Sequence, residues 1–129
     1  MKKDSLGVRV YKVKPVFKDT RGEIYDFVEE LVSHVGMISF AKGAIRGNHY
    51  HKKSVQYTYI VSGKIVITLS DRHGKNVKRY TVGAGSVTVI PARVVHTYKA
   101  LTPAIILDLT TKTRKLGGYE KDTVRVNFS

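Results

Sequence analysis

Alternation of apolar and polar residues with period two restricts this chain more than any other feature. Val8-Arg9-Val10-Tyr11-Lys12-Val13 alternates as a strand with one buried face does. Asp19-Thr20-Arg21-Gly22 predicts a turn, with a strand over Glu23–Val28 behind it. Val35–Ala41 is apolar enough for a buried strand. Val55–Val61, the Ser62-Gly63 turn and Lys64–Leu69 form the clearest hairpin. Further strands are expected over Asn76–Val82, Ser86–Ile90, Val94–Ala100 and Ala104–Thr111, with an edge strand over Thr123–Asn127. Asp71–Gly74 and Gly83-Ala84-Gly85 punctuate that series, and Pro91 closes a strand. One short helical piece is expected near Glu29–Ser33. Strands do not alternate with helices, which argues against a parallel α/β sheet. The expected solution is one all-β domain over residues 1–129, an antiparallel jelly roll or barrel that limits exposed edges.

A chain of 129 residues has enough length for one core. It lacks cysteine, so disulfides, thiolate nucleophiles and sulfur-ligated metals are excluded. Any transition metal must be held by His, Asp, Glu or amide oxygen. No apolar run reaches the roughly 18 residues of a membrane span, and the start MKKDS lacks a signal-peptide core. A cytoplasmic location is the resulting expectation. Lys and Arg number 23 against 10 Asp and Glu, a formal charge of +13. That balance suits an anionic partner. The charges are scattered through Lys52-Lys53, Lys78-Arg79 and Arg114-Lys115, whereas nucleic-acid binders concentrate theirs in a run or on one face. A solvated surface and a small anionic ligand are expected rather than nucleic acid.

The histidines carry the chemistry. His49 and His51 stand two apart, so a strand turns both to one face. Gln56 opens the strand that continues through Thr58 and Ile60 on its own face, and His96 opens a later one with Tyr98. If these strands line one cavity, three imidazoles and an amide oxygen converge, a half-shell suited to Zn, Fe, Ni, Cu or Mn. His34 and His73 sit beside turns and read as surface residues, and Tyr57 and Tyr59 as packing or dimer contacts.

The spacing Gly43, His49, His51, residue 56, Gly63 resembles the first cupin motif, with Gln56 where that family usually has Glu. Gly85, Pro91 and His96 resemble the second, with Arg93 where Gly is common and Ala100 where Asn is common. The resemblance covers about residues 41–111 and implies the cupin jelly roll. Asp19-Thr20-Arg21-Gly22 and Arg46-Gly47-Asn48-His49-Tyr50-His51-Lys52 further resemble small cupins acting on nucleotide-linked 4-keto-6-deoxy sugars. Sugar 3,4-ketoisomerases and capsular-polysaccharide epimerase domains are among these.

What this resemblance implies is an isomerase or epimerase working by histidine-mediated proton transfer through an enediolate. An imidazole of pKa about 6.5 both accepts and returns a proton near neutrality. His51 is the expected shuttle, His49 its partner, and Tyr98 a second acid. Arg46, Arg21 and Asn48 are the expected substrate contacts. His49, His51, Gln56 and His96 are the expected ligands of a divalent metal, Zn or Ni, weakly held because Gln56 is neutral. A homodimer is expected from exposed strand edges. Two other classes fit the same residues: a metal-binding cupin that binds a small molecule without turnover, and a metal-dependent oxygenase.

Overall fold

The computed structural model describes residues 3–127, so Met1 and Lys2 of the MKKDS start lie outside the described residues. In chain order the first six strands are β1 (Arg9–Lys12), β2 (Phe17–Asp19), β3 (Gly22–Ile24), β4 (His34–Phe40), β5 (Ile45–His51) and β6 (Gln56–Ser62), where β2 and β5 join the expected strands as two that the alternation did not mark. They continue as β7 (Lys64–Ser70), β8 (Lys78–Gly83), β9 (Ser86–Ile90), β10 (Val95–Ala100) and β11 (Ala104–Thr110). A helical turn, α1 (Gly118–Asp122), leads into β12 (Thr123–Arg125). All pairings are antiparallel and build two five-stranded sheets, β1-β9-β6-β11-β4 and β12-β5-β10-β7-β8, packed face to face as a jelly roll. β2 and β3 form a separate hairpin. No described helix is long and apolar enough to cross a membrane.

Inward residues of both sheets fill the space between them. Ile60, Ile65, Ile67, Leu69 and Ile106 are fully buried there. Each contributes roughly 1.5–3 kcal/mol by leaving water. The β6–β7 turn depends on Gly63, whose φ is +87° and whose added Cβ would lie 2.3 Å from the Pro103 carbonyl oxygen. No side chain fits that approach.

Three expectations are corrected. Residues 29–33 are not helical. Five residues gain too little from helix formation to hold one alone. Phe27, Val28 and Val32 instead pack on the outer face of the first sheet, with Phe27 stacked on Tyr59 at 4.4 Å. The strand expected over Glu23–Val28 ends at Ile24, where the chain leaves its hairpin to make that cover. His34 is half-buried rather than a surface residue, with its Nε2 shielded from solvent. Tyr57 is buried beneath the same cover and therefore packs within its own chain.

Candidate functional site

Alternation alone would put Arg46 and His49, three residues apart, on opposite faces of β5. A bulge reconciles them. Arg46 pairs with Tyr98, Gly47 with Thr97 and His49 with His96, so Asn48 is the extra residue. Gly47 (φ +106°) and Asn48 (φ +56°) absorb it, and a Cβ on Gly47 would approach the His96 carbonyl oxygen to 2.6 Å. Asn48 fixes the bulge by accepting a hydrogen bond from Thr97 Oγ1 at 2.8 Å. Arg46 consequently joins His49 on the inner face, its guanidinium 5.4 Å above the Phe40 ring.

The three predicted imidazoles do converge. Ring centroids of His49 lie 5.0 Å from His51 and 4.7 Å from His96, and one ligand nitrogen from each falls within 4.8 Å of the others. Gln56 completes the group. Its Nε2 donates to the Tyr98 hydroxyl at 2.9 Å, which leaves its Oε1 to accept from His51 Nε2 at 2.9 Å. The Tyr98 hydroxyl also bonds Thr58 Oγ1 at 2.8 Å. Burial pushes the Tyr98 phenol well up, so the hydroxyl orients Gln56 and is a poor proton donor to a ligand.

Burial also lowers the basicity of all three rings. His49 falls to about 4, through desolvation first and the neighbouring His51 second. His96, fully buried, lies well below the ordinary histidine value. Its Nδ1 faces the Val94 carbonyl at 3.1 Å, and its Nε2 has no hydrogen-bond partner among the described residues. Burial lowers His51 as well, but Gln56 and Asp122 act against that by favouring its charged form.

The chain beyond β11 closes the site. Asp122 accepts from the backbone N–H of Lys53 at 2.8 Å and of Ser54 at 3.2 Å, and its carboxylate stands 3.9 Å from His51 Nδ1. Thr123 Oγ1 lies 3.3 Å from the same nitrogen. The Tyr119 ring sits edge-on to His49 and His51, and the Arg114 guanidinium lies 4.5 Å over its centre. The result is a cavity of about 490 Å³ lined by Arg46, His49, Gln56, Tyr98, Asp108 and Arg114 together with Tyr119 and Arg125. His51 and His96 are buried directly beside His49.

Two expected substrate contacts stand elsewhere. Arg21 sits on the exposed β2–β3 hairpin, held by Asp19 through Nη2 at 2.7 Å, and Asn48 turns its side chain to Thr97. Asp108, Arg114, Tyr119, Asp122 and Arg125 were not found from the sequence. Asp108 had a signal, as the lone carboxylate in the apolar run Ala-Ile-Ile-Leu-Asp-Leu. The others reach the site only because the chain returns to pair β12 with β5.

Residues 36–110 match the family model of the cupin domain. Among solved structures, a 3,4-ketoisomerase from Helicobacter canadensis superposes with TM-score 0.78 at 19% identity, over 93% of this chain and 91% of that one. A sugar 3,4-ketoisomerase from Thermoanaerobacterium thermosaccharolyticum, solved with TDP, gives 0.74 at 21% identity over 92% and 87%. A 3′-monoepimerase from Streptomyces bikiniensis, solved with dTDP-quinovose, gives 0.82 at 17% identity over 98% and 73%. No curated protein matches the sequence significantly. The motif glycines and histidines, the two-sheet jelly roll and the family match agree, and the chain belongs to the cupin family.

Proposed function

We propose that the protein is an isomerase or epimerase of a nucleotide-linked 4-keto-6-deoxy sugar. One observation carries the reading: His49, with the buried His51 and His96 directly beside it, and the Arg46 guanidinium stand on the same inner sheet face, and His49 and Arg46 line one cavity. The chemistry needs a base for the proton beside the ketone and a fixed positive group for the oxyanion that forms. His51 is the stronger base of the His49–His51 pair. Its imidazolium finds Gln56 Oε1 at one nitrogen and Asp122 and Thr123 near the other, so the proton it takes up is held at both ends. His49 meets the sugar on the cavity wall. Arg46 stays charged and presents paired donors to an oxyanion or diphosphate. The structural neighbours named as sugar ketoisomerases and epimerases support the substrate class.

The test is ring-proton exchange. TDP-4-keto-6-deoxyglucose incubated with the protein in D₂O should gain deuterium at C3 or C4. Arg46→Ala should weaken binding and turnover together. A protein that binds the nucleotide sugar and leaves its ring protons untouched would sink the enzymatic reading in favour of a binding module.

His49, His51 and His96 fit a divalent ion: the ligand atoms converge, and His96 Nε2 offers a buried lone pair with no partner among the described residues. An ion held there would supply Lewis-acid polarisation of the sugar carbonyl, and His51, as its ligand, would then no longer be the base. With neutral Gln56 beside them, zinc or nickel should bind substoichiometrically, and full, chelator-resistant occupancy would count against this.

A homodimer belongs to the same reading. With Tyr57 covered, the remaining exposed apolar surface of the first sheet is Val35, Met37 and Val61, with Met37 72% exposed. Light scattering should return twice 14.5 kDa, and the monomer mass would refute pairing.

A further inference from the structure

The proposed carbon-proton transfer leaves the carboxylate of the cavity, Asp108, unused. Asp108 is 1% exposed, on the sheet opposite β5 and β10, which carry the histidines. It pairs with Thr58 of β6 on one side and Gly36 of β4 on the other. Its Oδ2 accepts from Arg114 Nη2 at 2.5 Å, and its Oδ1 has no donor among the described residues. On the adjoining strand β4, His34 Nε2 is also buried and without a partner among the described residues. The bare Cα of Gly36 makes room for it: a Cβ there would come within 2.9 Å of that nitrogen.

A buried carboxylate oxygen without a donor is uncommon in a folded protein and costs stability. A ligand hydroxyl would supply the missing donor. Arg114, which holds the Oδ2 of Asp108, is itself stacked over Tyr119. Burial raises the Asp108 carboxyl, while the Arg114 cation opposes the rise. Such a group accepts a proton and returns it more readily than a solvated carboxylate does.

Resting on the isomerase reading above, we propose that Asp108, assisted by His34, receives the sugar hydroxyl beside the ketone and carries its proton to the neighbouring oxygen. The proton balance requires such a group whenever the ketone moves. The imidazole takes the C3 proton, that C–H pair forms the C3–C4 double bond, and the former C4 carbonyl pair settles on O4. Asp108 then takes the O3 proton. The O3–H pair closes the C3 carbonyl, the double-bond pair takes a proton at C4 from the imidazolium, and Asp108 delivers its proton to O4. C3 is oxidised and C4 reduced within one molecule, and no co-reactant is needed. Epimerisation at C3 uses only the carbon proton. Asp108 is therefore the group that separates ketone transposition from simple exchange.

The experiment follows TDP-4-keto-6-deoxyglucose in D₂O by NMR, reading deuterium at C3 and the position of the carbonyl carbon separately. Asp108→Asn keeps the shape and an acceptor for Arg114. It should retain C3 exchange within about threefold of wild type and lose transposition by roughly a hundredfold or more. His34→Gln, at the start of β4, should slow transposition about tenfold with exchange unchanged. It decides the matter if the first variant does not fold. Asp108→Asn losing both readouts equally in a folded protein, or keeping both, would overturn the assignment, as would His34→Gln with unchanged transposition. A wild-type protein that exchanges C3 but never moves the ketone would overturn the assignment and spare the broader reading. A wild-type protein that exchanges nothing would end both.

Discussion

The two ends of the space between the sheets are built from the same strands and have opposite chemistry. Along β6 the inward residues run Gln56, Thr58, Ile60, and antiparallel β11 answers with Thr110, Asp108, Ile106 in direct register. β10 makes the same change, from His96 through Tyr98 to Ala100. One end is a close-packed aliphatic core, and the other is a hydrogen-bonded network beside a cavity. The difference teaches where stability and reactivity reside. The aliphatic end gains by excluding water, whereas the polar end carries buried nitrogens and oxygens, His96 Nε2 and Asp108 Oδ1 among them, with no partner among the described residues.

The largest expected effect lies at the polar end. His51→Asn should lower ring-proton exchange by about a hundred- to ten-thousandfold, while the unfolding midpoint in urea shifts little. Equal losses in rate and stability would erase the contrast. At the other end, Ile106→Ala should cost about 2–5 kcal/mol by opening a cavity. Exchange per folded molecule should stay near wild type, measured below the unfolding transition.

Acid should find the polar end first. Below about pH 6.5 the unfolded chain protonates its histidines, whereas folded His49 resists until about pH 4. The unfolded state then binds more protons, so stability should fall as pH drops through that window. Urea midpoints at a series of pH values read the slope, and His49→Gln should flatten it. A slope unchanged by that variant would place the acid sensitivity elsewhere. The smallest effect concerns the link between β9 and β10. Arg93 holds φ +69° while its N–H donates to the His51 carbonyl at 2.7 Å. Arg93→Gly should relieve that strain and gain about 1 kcal/mol in thermal or chemical unfolding.

The jelly roll and the imidazole cluster were legible because alternation, turn residues and the glycine–histidine spacing are local signals. His49 and His51 share a strand face by their separation alone, and His96 arrives through one well-marked strand. Tyr119, Asp122 and Arg125 had no such signal, since their placement depends on a long-range return to β5. The Phe27–Val32 segment was misread for a related reason. Its conformation is set by the Tyr57 and Tyr59 surface beneath it and not by its own propensity. Arg93 stands where a left-handed backbone favours glycine, which makes its departure from the motif one of local strain and leaves the turn itself intact.

The bulge at Asn48 has a consequence for how chains of this kind diverge. Gly47 faces Thr97 and His49 faces His96, so the extra residue has no paired partner in the ladder and is held instead by Thr97 Oγ1 and the Val126 N–H. Removing Asn48 would leave Arg46 and His49 two apart in a regular ladder, still on one side. A single-residue deletion here therefore leaves Arg46 and His49 facing the same side. The same event a few residues later, between His49 and His51, would turn one imidazole out to solvent. Length variation among descendants of such a barrel should accumulate at the first position and be purged at the second.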